Sequence, residues 1–378
     1  MDWTGINMLF TRRQIIQGIG GMACFPFVSA FAEMNNVKTD RMYISGAGFP
    51  VTSGKDEFFV SAFDGDGNEK FKHKLPARGH GLAVSPDAKK CAIFARRPGN
   101  FIYLLNSQKG LIEAVIKSKK NRVLYGHGEF SPSGNYLLST EKDMETGLGV
   151  VSIRDLRDNY KVINQYDNFG IGPHEMAFMP DGKTIVIAVG GIQTKGRKKT
   201  NLDTMESSLV YIDIQSGKII DKFTLEKKYF QLSIRHLSVS KKGQVGAVMQ
   251  YQNNDKYMPL VLTHDGESVL KPLSTTDDIC KKMNNYCGSV CYDNTGTYLA
   301  TSSPRSSTIT IWSSSGEYIT SFDVADGCGV SATEKDYTFL ISSGIGGVFT
   351  YDVKNKTIEE LDSLFTIAQH WDNHLLGF

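Results

Sequence analysis

Five histidines recur along the chain at a near-constant spacing: His80, His127, His174, His236 and His374. The first two intervals are both 47 residues, and the next places in the series fall near Gly288 and Cys328. Neutral imidazole is the commonest side-chain ligand for copper, zinc and iron. A cluster of several favours those metals over calcium or magnesium. Cys328 would add a thiolate, and Glu175, next to His174, would bind directly or orient a ligand. Such chemistry requires the five side chains to meet, so the elements that carry them must return to one place.

A fixed period of this length is the signature of a propeller or a solenoid. The units read GHGLAVSPDAKKCAIFA from Gly79, GHGEFSPSGNYLLSTE from Gly126 and GPHEMAFMPDGKTIVIAV from Gly172. RHLSVSKKGQVGAVMQ from Arg235 and GSVCYDNTGTYLATSS from Gly288 follow, with a degenerate copy, GCGVSATEKDYTFLISSG, from Gly327. Each is a short alternating strand, a turn built on Pro-Asp, Ser-Gly, Lys-Gly or Thr-Gly, and a second apolar strand. Third and fourth strands come after, as in Leu209–Ile214 and Lys218–Thr224, and four strands make a propeller blade.

Six units begin between residues 79 and 327, and the seventh is split. Residues 42–75 hold strands without a repeat opening, while the terminal WDNHLLGF from Trp371 is an opening without the rest. Joining the two closes the ring and removes the free sheet edge. The expectation is an all-β, seven-bladed propeller of four-stranded blades over residues 42–378, at about 49 residues per blade. The fourth blade is the longest, its excess being a polar insertion around Gly190–Met205.

The strand that opens each blade lines the axis, which is where the imidazoles would meet. Nitrogen-to-nitrogen distances of about 3–5 Å would mark a shared metal centre. In the competing reading each histidine hydrogen-bonds within its own blade. A one-residue offset of His127 from its turn, relative to His80 and His174, would aim that ring away from the others.

Residues 8–32 read as an address. Arg12-Arg13 ahead of a moderately apolar, glycine-rich stretch resembles the twin-arginine export motif. Ala30 and Ala32 supply the small residues that a signal peptidase reads. Residues 1–32 are therefore expected to be a signal peptide and 33–41 a linker, with the mature protein in the periplasm. Met8 is an alternative start, and the surroundings of Cys24 make a poor lipobox. Cleavage leaves five cysteines. Cys280 and Cys287 form the most plausible disulfide, while Cys91 and Cys291 read as core residues.

Forty-two basic against 40 acidic side chains give a net charge of +2, with no footprint for nucleic acid or an anionic membrane. No stretch after residue 35 is long and apolar enough to span a bilayer. The basic run Lys195–Lys199 reads as a solvated loop. Arg96, Arg97, Arg235 and Arg305 are candidates for an anionic ligand at the channel mouth. Glu141, Asp143, Glu145, Asn201 and Asp203 are oxygen donors suited to a hard cation. There is no Gly-x-Ser-x-Gly, His-Glu-x-x-His, P-loop or haem-attachment motif.

The stretches YGHGEFSPSGNYLLSTEKD, IGPHEMAFMPDGKTIVIAVGGI, NLDTMESSLVYID, SIRHLSV and the terminal WDNH together resemble an uncharacterised family of twin-arginine-exported bacterial propellers, YVTN- and WD40-like. The resemblance spans nearly the whole mature chain and is weakest over residues 1–75. It implies a seven-bladed periplasmic propeller. Members are often encoded beside imelysin-type, iron-regulated proteins and di-haem peroxidase-like proteins, which implies a link to iron or redox physiology and a partner of that kind. No activity comes with it. The leading reading is a periplasmic binding or accessory propeller with copper, iron or zinc at the axial histidines. The alternatives are an interaction scaffold whose histidines are only structural, and a lactonase- or oxidase-like enzyme.

Overall fold

The computed structural model describes residues 41–49, 56–196 and 198–378. The expected signal peptide, with Arg12, Arg13, Ala30 and Ala32, lies outside the described residues, as does most of the linker. Arg41–Phe378 form one compact unit.

Each unit opens with a hairpin whose turn needs a left-handed residue. Gly134, Gly182, Gly243 and Gly296 fill that place with φ between 66° and 83°. In the degenerate copy from Gly327 the turn has the same length but its left-handed place falls one residue later, where Tyr337 takes the strained position at φ 60°. Antiparallel strands then follow in order outward from the axis. Blade 2 runs Gly79–Val84, Lys90–Ala95, Phe101–Asn106 and Ile112–Lys117. Blades 3, 4, 6 and 7 repeat the pattern from Arg122–Phe130, Pro173–Phe178, Ser289–Tyr292 and Gly327–Ala332.

Blade 1 closes the ring as the split unit requires. The C-terminal strand His370–Gly377 pairs with Met42–Phe49, which leads outward to Glu57–Asp64 and Glu69–Leu75. The seven innermost strands touch one another in cyclic order, and His370–Gly377 packs against Gly79–Val84 to complete the circle.

Blade 5 departs from the expected four strands. Leu232–Val239, Val245–Tyr251 and Val261–His264 form a three-stranded sheet. Where a fourth strand should run, Pro272 has no N–H to give the ladder. A single bond remains, from the Leu273 N–H to the Val261 carbonyl at 2.8 Å. The chain then enters a short helix, Asp277–Met283, capped by the Thr276 side chain.

The core lies between successive sheets, and strand alternation feeds both neighbours. In Lys90–Ala95, Cys91 and Ile93 pack with Ile44 and Val60 of blade 1. Ala92 and Phe94, one step out of phase, pack with Leu124 and Leu137 of blade 3. A buried aromatic such as Phe94 is worth about 3–5 kcal/mol against alanine. All five cysteines of the expected mature chain are free thiols. The expected Cys280–Cys287 bridge is not formed: Cys280 is held on the short helix, and the Cys287 sulfur faces Ser303 Oγ at 3.4 Å.

Candidate metal centre

The histidines sit at irregularities, and the irregularities aim them. In all five strands that carry one, the pairing with the second strand slips at the histidine: between Gly79 and Leu82, Leu124 and Gly128, Pro173 and Met176, Ile234 and His236, and Trp371 and Leu375. The corresponding strand of blade 6, which has no histidine, pairs without a slip. A bulge turns a side chain out of the normal alternation, so the offset noted at His127 does not send its ring away. Carbonyls released by the bulges are taken up by buried hydroxyls of the second strands. Ser45 donates to the His374 carbonyl at 2.6 Å, and Thr140 to that of His174 at 2.9 Å.

The five rings meet at the axis. Ring centroids are 4.9 Å apart for His80–His127, 4.6 Å for His127–His174, 4.7 Å for His174–His236, 4.6 Å for His236–His374 and 4.5 Å for His374–His80. Glycines permit this closeness. A Cβ on Gly81 would stand 2.7 Å from His127 Nδ1, and Gly126 holds φ at +101° beside His80.

Three sets of ligand atoms lie within 4.8 Å of one another: His80, His127 and His374; His127, His174 and His236; and Glu175, His236 and His374. An ion bound at about 2 Å would draw such atoms to roughly 3.4 Å, within reach of small ring rotations.

The hydrogen bonds cross between blades. His80 Nδ1 donates to Asp372 of blade 1 at 3.0 Å. His236 Nδ1 donates to Glu175 of blade 4 at 3.2 Å, and His127 Nδ1 lies 3.5 Å from the other Glu175 oxygen. A carboxylate on Nδ1 fixes the ring and leaves Nε2 as the donor for a metal. His127 Nε2, His374 Nε2 and His174 Nδ1 are buried with no hydrogen-bond partner among the described residues. Such nitrogens cost about 1–3 kcal/mol each unless something binds them.

Burial lowers His80 to about 4 despite Asp372, and lowers His236 despite Glu175. Burial and neighbouring imidazoles push His174 and His374 well below the usual imidazole range. These four are therefore neutral near pH 7, as metal ligation requires. Burial opposes the charge on Glu175, but His127 and His236 hold its carboxyl well below the ordinary value. Burial likewise opposes Asp372, whose hydrogen bond to His80 and ion pair with Arg78 keep it ionised.

Cys328 does not join the cluster. Its sulfur donates to the Trp371 carbonyl at 3.4 Å within an apolar group that includes Tyr43, Phe63 and Leu375. Burial raises its thiol, so it stays protonated. With Gly288 lacking a side chain, the imidazoles come from blades 1 to 5 alone.

The hard-cation group is not assembled either. Glu141 is fully buried against Arg154 at 2.6 Å, and Asp143 pairs with Arg122. Glu145 accepts from Asn121, while Asn201 braces the insertion through Gln193 and Gly191. Asp203 is exposed. Asp372 and Arg78 were not singled out from the sequence. The only hint was a carboxylate two residues before the last histidine.

Residues 73–378 match the family described as a protein of unknown function, DUF1513. The chain belongs to this family. Most of the outer strands of blade 1 precede the matched region. Among solved structures, a chain of hydrazine synthase from Kuenenia stuttgartiensis is similar, with a TM-score of 0.54 at 14% identity. That match covers 89% of this chain and 99% of the other, and at this identity it shows the fold alone. No curated protein matches the sequence.

Proposed function

We propose that this propeller holds a transition metal, copper, iron or zinc, between the axial imidazoles of blades 1 to 5. In this reading it serves iron or redox metabolism as an exported binding or accessory protein. The observation that carries the metal is the set of three buried imidazole nitrogens without partners, beside three imidazoles oriented by Asp372 and Glu175. A structural histidine would spend both nitrogens on its surroundings.

The twin-arginine motif around Arg12 and Arg13 supports the periplasm, because that route carries proteins already folded. Metal could then be acquired before export. The resemblance supports an imelysin-type or haem-protein partner.

Elemental analysis of the protein purified from the periplasm tests the reading. About one metal ion per chain is expected, falling to background when His127 and His236 are both alanine. A metal content unchanged by that double substitution would remove the proposal. Conversion of both Arg12 and Arg13 to lysine should retain the chain in the cytoplasm on fractionation, and continued export would remove the assigned route.

A further inference from the structure

We propose that the rim of the axis beside the imidazoles binds a small multivalent oxyanion, held by Arg97, Arg235, Arg305 and Lys199. Antiparallel strands place the start of the first strand, the end of the second and the start of the third on one face of every blade. Arg97 lies between Lys90–Ala95 and Phe101–Asn106, and Arg305 between Tyr298–Ser303 and Thr308–Ser313. Lys199 belongs to the hairpin Thr194–Lys195/Lys198–Lys199 in the insertion of blade 4. The run expected as a plain solvated loop thus places an ammonium on this face. Arg235 lies in the first half of its strand, one residue before His236. All four cations therefore share the face on which the imidazoles gather.

Among the described residues these cations are neighbours without counter-charges. Desolvation of its ammonium lowers Lys199 from the usual lysine value, and Arg235, Arg305 and Arg97, within electrostatic reach, lower it further. Among the described residues, Arg78, Arg122, Arg154 and Arg157 each pair with a carboxylate, but Arg97, Arg235 and Arg305 do not. Instead Arg97 lies 6.0 Å over the Tyr125 ring and Arg305 4.2 Å over the Tyr286 ring. Stacking holds a guanidinium plane while leaving its edge free to donate.

Arg235 is only 6% exposed, and its Nε has no partner. Its guanidinium packs against Gly190, where a Cβ would stand 3.5 Å from Arg235 Cζ, an ordinary contact. Lys199 Nζ is steadied by Gln252 at 2.6 Å.

Three guanidinium forks and an ammonium from four blades repel a cationic ligand and offer a neutral one no charge to pair with. They match carboxylate or phosphate oxygens, and their spread favours a ligand with two or more such groups. This inference does not rest on the metal: the cations are there whether or not an ion sits below them.

Calorimetric titration with citrate and with pyrophosphate tests it, using the full mature chain both as purified and after chelator treatment. At least one anion should bind, equally in both preparations and more weakly as salt rises. The stronger binder distinguishes a polycarboxylate from a polyphosphate ligand. Arg305→Gln and Arg97→Gln should each weaken binding by about tenfold, and Arg235→Gln by more. Arg305 is exposed, so its variant remains informative if Arg235→Gln fails to fold. Binding of neither anion, wild-type affinity in the Arg97 and Arg305 variants, or binding lost on chelation would overturn the site. The last result would place the anion on the metal.

Discussion

His264 in blade 5 and His127 at the axis are buried alike, at 1% and 2% exposure, yet they are opposite kinds of histidine. His264 spends both ring nitrogens. Nδ1 accepts from the Tyr211 hydroxyl at 2.8 Å and the Gly266 N–H at 3.1 Å, Nε2 donates to the Ser268 carbonyl at 2.8 Å, and the ring packs 4.4 Å from Phe223. His127 has Nδ1 directed at Glu175 and leaves Nε2 buried and alone, facing four other imidazoles. Burial does not separate a structural histidine from a ligand; completeness of hydrogen bonding does. A fold that keeps three unsatisfied nitrogens together carries a stability cost that a bound ion would offset.

The largest expected effect breaks this contrast in both directions. His127→Ala with His236→Ala should abolish metal binding, while His264→Ala should leave the metal content unchanged. His264→Ala should instead cost about 3 kcal/mol of stability through three lost hydrogen bonds and a cavity. In metal-free protein, His374→Ala should cost less than His264→Ala, because the Nε2 it removes has no partner. Denaturant melts of the four proteins with and without chelator check the set. Equal destabilisation by His264→Ala and His374→Ala without metal would erase the distinction.

Next in size are the carboxylates that orient the rings. Glu175→Gln or Asp372→Asn should weaken metal affinity by about 10–100-fold while leaving one ion per chain at saturation. Competition against a chromophoric chelator measures this.

Acid should act mainly on the axial region. His80, with a folded pKa of about 4 against 6.5 unfolded, and the similarly lowered His174, His236 and His374 take up protons more readily when unfolded. The contribution of His80 is full above about pH 6.5 and is lost as pH falls towards 4, and those of His174, His236 and His374 are lost in the same direction. Asp372 and Glu175, also lowered, extend the loss to more acidic pH. The melting temperature of metal-free protein should therefore drop steadily below pH 6.5, and a flat profile between pH 7 and 5 would contradict it.

The smallest effect has the opposite sign. Burial and the nearby Glu175 raise Glu129 from 4.5 to about 8. Stability from this group is present below pH 4.5 and is lost as pH rises to 8. Glu129→Gln should thus stabilise the protein above pH 8 by about 1 kcal/mol, a degree or two in melting temperature.

Much of this architecture could be read from residue types alone. The 47-residue interval places the openings of blades 2 to 4, and WDNHLLGF predicts the strand that closes blade 1. Pro272 interrupts the blade 5 pattern, but a proline far from any repeat landmark does not announce a missing strand. The convergence of the histidines could be posed but not decided, since spacing cannot reveal a bulge, and the bulges aim the rings. Cys328 occupies the matching place in blade 7, where the pairing also slips between Gly327 and Val330, yet its thiol turns into apolar packing. Glu141 and Asp143 look equivalent along the chain. Only the fold sets one against Arg154 in the interior and the other against Arg122. Asp372 stands within WDNH, but nothing along the chain ties it to His80, its partner 292 residues away.

Anomalous diffraction from crystals of the protein, collected across the iron, copper and zinc absorption edges, distinguishes a metal centre from a cluster of empty imidazoles. One element-specific peak is expected on the axis, about 2 Å from imidazole nitrogens that include those of His127 and His236. Crystals grown with each metal that show no anomalous peak there, with the rings bridged only by water, would contradict it.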